Sequence, residues 1–385
     1  MIKDKKRELI FVSPHLKAIG ETYVLPRLAM EASESDDISV LLFDVCGEWT
    51  SVKVDSVFII NNPLSWVVKL CPNLERFSPW WNYRIWLSFV TLSIVIGLPI
   101  ALFRRKDGRD SVIVGRMATT GVALAARLSP KRFRFVASMA GVPLPSWLRK
   151  FSWPFLYRAF SRVIIPVEEM RDSVSTVTKI PPHQIDCIPN AVLDSKSNVP
   201  MYDSTMRSRQ DRARDFKILL VGRLTNQKGV DVAIKALSLL PETYSLFLFG
   251  SGEEKSSLQS LADTEGVASR VTFMGFNHRP WDTTSDYDVF IMPSRWEGPG
   301  HTIIEALSLG MPSIVTNCPY GPAETVNYGE FGVVVDVDCH NSLAEGIKEV
   351  ADNHSEFVKR ASDATLESVR YTAPQVLNQW KSLVE

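Results

Sequence analysis

The sequence predicts an α/β protein with two doubly wound domains, each a parallel sheet with helices on both faces. Three observations support this prediction. The chain has 385 residues, which is enough for two domains. Short apolar runs alternate with helical patterns in both halves, as is typical of parallel sheets buried on both faces. A polar stretch poor in large apolar residues, 194–214, separates the two halves.

The N-terminal half opens with the strand ELIFVS at 8–13, and a turn and a helix through Leu25 and Leu28 follow it. Further apolar runs indicate the other strands of the first sheet: 38–45, 56–60, 111–115, 133–138 and 162–167. These elements define an N-terminal domain at 1–194, and the polar residues after it form a linker at 195–214.

The C-terminal half repeats the alternation, beginning with the strand FKILLVGR at 216–223 and a helix at 230–240. The remaining strands of the second sheet are predicted at 244–250, 271–276, 287–294, 312–317 and 332–336. They define a C-terminal domain at 215–373. Ligands of doubly wound sheets bind beyond the carboxyl ends of the strands, so the loops at those ends are the first candidates for a site.

Composition narrows the classes of function. The 43 basic and 43 acidic residues give zero net charge, which argues against a broad nucleic-acid surface. The five cysteines include no CxxC pair, so neither a disulfide framework nor a cysteine-based zinc site is predicted. The apolar run near the N-terminus, 10–12, is too short for the core of a signal peptide. We therefore expect a cytoplasmic protein.

One segment of the N-terminal half is apolar enough to interact with a membrane. Residues 85–103 carry no charge, aromatic residues open the segment, and the basic run 104–106 follows it. Its length just suffices to span a bilayer, but Gly97 and Pro99 interrupt it. Three interpretations remain open: a membrane span, a buried core helix, and a helix partly exposed to a membrane surface.

The first candidate site follows the strand at 216–223. Arg223 and Lys228 fall in the turn before the next helix, and two cations at the carboxyl end of a strand suit a phosphate or a diphosphate. Two solvated loop charges would give the same pattern. In FGSGEE, Gly250 and Gly252 end a strand and open a helix, where backbone can approach an anion. A two-glycine turn is also common without any ligand, and the full dinucleotide pattern is absent.

The strongest candidate is WEGPGHTIIEALSLG, which places a loop after a strand and a helix from about His301. Glu297 in the loop can accept hydrogen bonds from sugar hydroxyls. Glu305, near the first helical turn, can accept hydrogen bonds from two adjacent ribose hydroxyls. Gly298 and Gly300 allow backbone N–H groups to approach the same ligand. One glutamate alone would indicate a helix cap, but two glutamates with these glycines favour a ligand site.

Other patterns are weaker. Two DxD spacings, at 286–288 and 336–338, are explained more simply as acids at the ends of strands or helices. No HExxH, GxSxG or Walker A pattern occurs. We therefore predict no metal site.

Together these motifs resemble the retaining glycosyltransferases of family 4, which have the GT-B fold of two Rossmann-like domains facing a central cleft. VGRLTNQKGVD, FGSGEE, YDVFIMPSRWEG and EGPGHTIIEALSLGMPSIVTN carry the resemblance, which covers most of 216–336. Glu297 and Glu305 match the paired glutamates of that family. CPYGPAETV at 318–326 resembles the branch that builds bacterial surface polysaccharides. The first half matches less well, and the usual double glycine of its first turn is reduced to Gly20.

The resemblance implies a role for each matching residue. Arg223 and Lys228 would hold the diphosphate of a nucleotide-sugar donor, and Glu305 would hold its ribose. Glu297 and the backbone of 298–301, including His301, would hold the donor sugar. Three glycines would complete the donor site: Gly20, Gly250 and Gly252.

The implied activity is retaining, metal-independent transfer of a hexosyl unit, with UDP-sugar as the expected donor and no bound cofactor. The implied acceptor is a glycan or a polyprenyl-diphosphate-linked saccharide in cell-surface polysaccharide synthesis. The helix at 374–385 would pack back on the N-terminal domain, as is common in this fold. Residues 80–106 lie on the acceptor side, so peripheral attachment to the inner face of the cytoplasmic membrane is compatible with the sequence.

Two alternatives remain open: a GT-B sugar-nucleotide epimerase and a non-catalytic sugar-binding assembly subunit. An NAD-dependent oxidoreductase is disfavoured because no GxGxxG follows a strand.

Overall fold

The computed structural model describes residues 7–13, 21–35, 37–45, 58–66, 79–105, 111–116, 119–139, 141, 147–194, 202, 215–277 and 280–383. The chain forms two compact units. Unit 1 contains 1–194 and 373–385, and unit 2 contains 195–372.

Within the described part, unit 1 is a seven-stranded parallel sheet with the order β3-β2-β1-β4-β5-β6-β7. Its strands are β1 (Arg7–Ser13), β2 (Ile38–Asp44), β3 (Phe58–Asn61), β4 (Ser111–Arg116), β5 (Arg134–Ser138), β6 (Arg162–Ile165) and β7 (Ile185–Cys187). Its helices are α1 (Glu21–Ser33), α2 (Pro79–Arg104), α3 (Thr119–Leu128), α4 (Trp147–Leu156), α5 (Arg171–Thr178) and, at the C-terminal end, α12 (Ala373–Lys381).

The core on one face of the unit 1 sheet joins both ends of the chain. Leu9 and Phe11 of β1 pack with Leu25 of α1 and with Leu377 and Trp380 of α12. Successive strand residues point to opposite faces, so Ile10 and Val12 are buried on the other side of the sheet. The right-handed connections between parallel strands determine which face of the sheet each helix covers. Helix α1 lies on one face, and α2, α3 and α4 lie on the other.

Helix α2 contains the apolar segment singled out in the sequence. It is the one helix of the described residues that has the length and composition to cross a membrane, and 44% of its window 87–104 is buried inside the protein. Ser93 accepts a hydrogen bond from the buried side chain of Asn62 at 2.6 Å. Ile94 packs on Gly121 of α3, where an added Cβ would lie 3.2 Å from the Cβ of Ile94. One side of α2 therefore belongs to the core of unit 1.

Unit 2 contains, in its described residues, a six-stranded parallel sheet with the order β10-β9-β8-β11-β12-β13. Its strands are β8 (Phe216–Val221), β9 (Tyr244–Phe249), β10 (Val271–Gly275), β11 (Val289–Met292), β12 (Ser313–Thr316) and β13 (Val333–Val335). Its helices are α6 (Val230–Ser238), α7 (Lys255–Thr264), α8 (His301–Ser308), α9 (Pro322–Thr325), α10 (His340–Asp352) and α11 (His354–Ser368).

The apolar run of β8 shows why this sheet is covered on both faces. Ile218 and Leu220 pack into a core with α6, α7 and α10. Leu219, which points the other way, packs with Ile303 of α8 and Ala364 of α11. Most residues of β8 are thus covered by apolar neighbours, which is why this strand is a nearly continuous apolar run in the sequence.

Candidate functional site

The predicted site residues of unit 2 follow two adjacent strands. β8 and β11 pair directly, and the strand order reverses between them, so their carboxyl ends form the switch point of the sheet. The two following loops approach closely, since a Cβ on Gly229 would lie 2.0 Å from the carbonyl oxygen of Pro293. Gly229 has φ 63°, so glycine meets both the spatial and the backbone requirement. Arg295 N–H donates to the Gln227 carbonyl at 2.8 Å and joins the loops.

An ion pair between Lys228 and Glu297 lies at this junction. Lys228 Nζ donates to Glu297 Oε1 at 2.5 Å, and Ser294 Oγ donates to the same oxygen at 2.8 Å. The side chains are 15% exposed for Lys228 and 8% for Glu297. The sequence placed Lys228 and Glu297 in separate candidates, whereas the structure brings them into direct contact. Ser294 was not predicted as a site residue, although its place two residues after β11 was a usable signal.

Arg223 is exposed and is linked to the same pair of loops through Gln227. Its guanidinium donates to Gln227 Oε1 at 3.0 Å, and Gln227 Nε2 donates to the carbonyl oxygen of Trp296 at 2.9 Å. Because Gln227 bonds to both sides, it limits the positions open to the Arg223 side chain. No sequence pattern indicates Gln227 beyond its place between two cations.

Arg295 braces the loop that carries Glu297. Its guanidinium makes two hydrogen bonds to Asp231 of α6, at 2.9 and 2.8 Å, and one to the Asn226 carbonyl at 2.7 Å. Its Nε also lies 2.5 Å from Asp338 Oδ1. Burial acts to raise the pKa of the Asp231 carboxyl, but the hydrogen bond and charge of Arg295 outweigh it and leave that pKa lowered. The paired, ionised state is therefore favoured.

Glu305 lies on α8, five residues after the helix N-cap. Its Oε2 accepts a hydrogen bond from Trp281 Nε1 at 3.0 Å, and Trp281 belongs to the 3₁₀ segment Pro280–Asp286. Trp281 is buried, so it orients the Glu305 carboxylate from the protein side. The helix begins after Gly300, which has φ 67° and supplies no side-chain cap. No side chain caps the start of α8, so a ligand would have no cap to displace there.

The remaining glycines of the prediction have structural neighbours. A Cβ on Gly250 would lie 1.7 Å from the Gly222 carbonyl oxygen, and a Cβ on Gly252 would lie 2.2 Å from that of Leu224. Both glycines thus let the β9–α7 turn pack against the loop that carries Arg223. A Cβ on Gly321 would lie 2.3 Å from the Gly298 carbonyl oxygen, so the turn before α9 presses on the Glu297 loop in the same way. Gly20 lies outside the described residues.

Cys318 lies close enough to Glu297 and Lys228 for their charges to affect its pKa. It is buried, and burial raises the pKa of its thiol to about 11, with Thr316, Glu297 and Lys228 as smaller influences. The thiol is therefore protonated at neutral pH, which makes it a poor nucleophile.

Unit 1 has a buried polar group at the carboxyl edge of its own sheet, beside the reversal of strand order between β1 and β4. Arg116 at the end of β4 donates to Ser138 Oγ at 2.9 Å and to Asn190 Oδ1 at 2.8 Å. All three side chains are buried. Arg116 could not be predicted from the sequence, because it ends an apolar strand with no accompanying motif.

One acid of each DxD spacing has a protein partner in the structure. Asp338 pairs with Arg295, and Asp288 accepts a hydrogen bond from the backbone N–H of Lys217 at 2.7 Å. No group of three or more potential metal ligands occurs within the described portions of the chain.

Known proteins with similar sequences include glycosyltransferases. Residues 203–367 match the family model described as glycosyl transferases group 1. The chain is 25% identical over 310 residues to the N-acetylgalactosamine-N,N'-diacetylbacillosaminyl-diphospho-undecaprenol 4-alpha-N-acetylgalactosaminyltransferase of Campylobacter jejuni, covering 77% of this chain and 82% of the relative. It is 35% identical over 149 residues to the lipopolysaccharide core biosynthesis glycosyltransferase LpsE of Rhizobium meliloti, covering 38% and 43%. The match to this chain spans only part of three relatives, LpsE among them: 66, 43 and 48% of their own lengths.

Solved structures define the class of fold. Anabaena Alr3699/HepE, in complex with UDP and glucose, superimposes with a TM-score of 0.71 at 19% identity, over 98% of this chain and 99% of that chain. The prediction of a GT-B fold with two Rossmann-like parallel-sheet domains is confirmed. The segment matched by the family model is similar to group 1 glycosyltransferases, and its relatives include glycosyltransferases of polysaccharide biosynthesis.

Proposed function

We propose that this protein is a retaining glycosyltransferase that moves a hexosyl unit from a nucleotide-diphosphate sugar, with UDP as the expected nucleotide, to a glycan or a lipid-linked saccharide. The observation that carries the proposal is the Lys228–Glu297 contact at the switch point of unit 2. It brings a cation suited to a diphosphate next to a carboxylate suited to sugar hydroxyls. The names of the relatives support a role in cell-surface polysaccharide synthesis.

Each residue has a role that follows from its position. Arg223 and Lys228 neutralise the charge that develops on the departing nucleoside diphosphate, without a metal ion. Glu305, oriented by Trp281, accepts hydrogen bonds from the ribose hydroxyls. The start of α8, which no side chain caps, adds the positive end of a helix dipole.

The ion pair also has a role in binding. Before the donor arrives, Glu297 compensates the charge of Lys228, so neither is left unpaired in a partly buried site. A diphosphate competes for the ammonium group, and Glu297 is then available for the hydroxyls of the donor sugar. The oxocarbenium-like transition state is stabilised electrostatically, and no covalent nucleophile is assigned. The acceptor is assigned to unit 1, and the protein to the cytoplasmic side of a membrane.

The test begins with binding of UDP, other nucleoside diphosphates and their sugars, measured by thermal shift with and without Mg²⁺. Glu305→Gln keeps an oxygen that can accept from Trp281 but removes the carboxylate, so we expect at least a tenfold loss of affinity. Glu345→Gln, on the exposed face of α10, is the matched control. Product anomeric configuration, read by NMR, then tests retention.

Four results would count against the proposal. Unchanged affinity in Glu305→Gln would remove the ribose assignment, and a strict requirement for Mg²⁺ would remove the metal-independent mechanism. Conversion of the donor sugar with no acceptor present, giving a stereoisomer, would favour the epimerase. Nucleotide-sugar binding without turnover on any acceptor would favour the assembly subunit.

A further inference from the structure

One large side chain of the loop after β11 is open to solvent. Trp296 is 43% exposed, although the side chain of Glu297, the next residue, is only 8% exposed. Trp281, the other tryptophan near the candidate site, is 8% exposed. Glu297 is thus turned into the site towards Lys228, whereas the indole that precedes it stays accessible.

The indole of Trp296 has no partner among the residues that the structure describes. Trp281 donates from its Nε1 to Glu305 at 3.0 Å, which accounts for its polar atom. Trp296 forms neither a hydrogen bond through its Nε1 nor a ring contact with a described residue, and its carbonyl oxygen accepts from Gln227. The ring face and the N–H of this indole are therefore available to a ligand.

The main chain is fixed on both sides of Trp296. Before it, the N–H of Arg295 donates to the carbonyl of Gln227 at 2.8 Å. After it, the carboxylate of Glu297 accepts a hydrogen bond from Lys228. The indole is therefore confined to positions reached by rotation about its own side-chain bonds. Such a side chain offers a large contact area at a low cost in conformational entropy.

The surroundings of the indole suit a sugar ring. The neighbouring groups are the carboxylate of Glu297, the amide of Gln227 and, bonded to that amide, the guanidinium of Arg223. A pyranose has apolar C–H faces and hydroxyls at its edge, so it can cover an aromatic ring and bond to polar groups together. A protein partner is disfavoured, because one exposed ring among charged groups is not a contiguous apolar patch.

The nucleobase of the proposed donor is disfavoured as the occupant by the order of groups along the site. Glu305 is assigned to the ribose, Arg223 and Lys228 to the diphosphate, and Glu297 to the donor sugar. The base of a nucleotide sugar lies on the other side of the ribose from the diphosphate. Trp296 is adjacent to the residue assigned to the sugar, at the opposite end of the donor.

We propose that the indole of Trp296 is the surface on which a pyranose ring stacks, with hydroxyls at the edge of that ring directed to Glu297. The inference rests on the proposed function for the class of substrate, and it adds a residue that recognises the sugar and not the nucleotide. The donor sugar and the acceptor saccharide present the same C–H face to the indole, so the experiment distinguishes these two sources.

The test observes the indole directly. The full chain is labelled with fluorotryptophan, and the fluorine NMR resonance of Trp296 is identified by its absence in Trp296→Phe. UDP alone should shift this resonance less than a sugar does. A further shift with UDP-glucose, UDP-galactose or UDP-N-acetylglucosamine identifies the donor sugar as the occupant. A shift produced by the methyl glycosides of the same sugars, added to the UDP complex, identifies the acceptor.

Binding affinity, measured by calorimetry with the same ligands, gives the second readout. Trp296→Ala should weaken binding of the stacked sugar about tenfold and Trp296→Phe about threefold, whereas the affinity for UDP stays that of the wild type. The carbonyl of residue 296 is retained in both variants, so its hydrogen bond from Gln227 still holds the loop. Trp66→Ala is the matched control, because Trp66 is an exposed tryptophan of unit 1.

Three results overturn the assignment of Trp296. They are a Trp296 resonance that no sugar shifts although UDP binds, wild-type sugar affinity in Trp296→Ala, and a loss of UDP affinity in Trp296→Ala as large as the loss of sugar affinity. The last result would limit the indole to supporting the loop. If neither UDP nor any sugar binds the wild type, the proposed function fails as well, which distinguishes that failure from the other three.

Discussion

At the scale of single residues, the two cations of the proposed donor site differ in what surrounds them. Arg223 is exposed and bonds to the neutral Gln227, whereas Lys228 is largely buried and pairs with Glu297. From the sequence alone, both residues are predicted to be equivalent loop cations. The two residues differ because the loop that carries Glu297 lies next to Lys228. That proximity depends on the pairing of β8 with β11, which a local sequence motif does not reveal.

Because of this difference, we expect Arg223→Ala and Lys228→Ala to lose activity to a similar extent, whereas Lys228→Ala should also lose stability. Arg223→Ala and Lys228→Ala should each lower the rate of UDP release about 100- to 1000-fold, since each removes charge stabilisation worth about 2.7–4 kcal/mol. Lys228→Ala should also lower the free energy of unfolding by about 1–3 kcal/mol, because it leaves the buried Glu297 carboxylate without its cation. Urea unfolding and a coupled assay for UDP measure both.

A second substitution serves as the control for the stability effect. Lys228→Ala combined with Glu297→Gln removes the unpaired charge, so it should recover part of the lost stability while remaining inactive. Equal stability of the Arg223 and Lys228 variants would contradict this account of the ion pair.

At the scale of elements, the sequence predicted the strands well because each is a short apolar run buried on both faces of a sheet. The helix α8 also begins where predicted, at His301, because glycine at position 300 takes a positive φ before it. By contrast, β7 was missed, since three residues show no periodicity. The contact of Trp281 with Glu305 was missed as well, because it joins two segments 24 residues apart that no pattern relates.

The ion pair between Arg295 and Asp231 connects the Glu297 loop to α6. Because Asp231 is titratable, the contribution of this ion pair to stability should depend on pH. Because the folded-state pKa of Asp231 is below its unfolded value, its contribution to stability is present above about pH 4 and is lost as the pH falls through the folded-state pKa. Asp231→Asn should therefore be less stable than wild type by about 1 kcal/mol from pH 5 to 8, and the difference should vanish in acid. Urea unfolding of both proteins, measured from pH 8 down into the acid range below about pH 4, tests this difference.

The KM for the donor shows whether the Arg295–Asp231 ion pair positions the Glu297 loop for binding or only stabilises the fold. Asp231→Asn loosens Arg295 and hence the loop that carries Glu297, so we expect a higher KM for the donor at temperatures where the variant is fully folded. Asp363→Asn, an acid on α11 of the same unit, is the control. An unchanged KM would limit Arg295 to stabilising the fold.

At the scale of the whole molecule, the chain leaves unit 1 after Asp194, builds unit 2 and returns at Ala373 to complete the core of unit 1. The returning helix α12 is amphipathic, and its apolar side meets α1 and β1. Trp380 is 3% exposed and packs edge-on against Phe11, with 5.2 Å between the ring centroids. The last residues of the chain thus belong to the same core as the first strand.

This connectivity predicts that Trp380→Ala destabilises unit 1 selectively. Replacing a buried tryptophan by alanine costs about 3–5 kcal/mol, through lost burial and the cavity left behind. Hydrogen exchange followed by mass spectrometry should show faster exchange in peptides of β1 and α1, while peptides of β8 and β11 keep their protection. Trp66→Ala, which removes an exposed tryptophan of the same unit, should leave both sets unchanged. Equal loss of protection in β8 and β11 would mean that the two units unfold as one cooperative structure, and nucleotide binding by the variant would then fail together with unit 1.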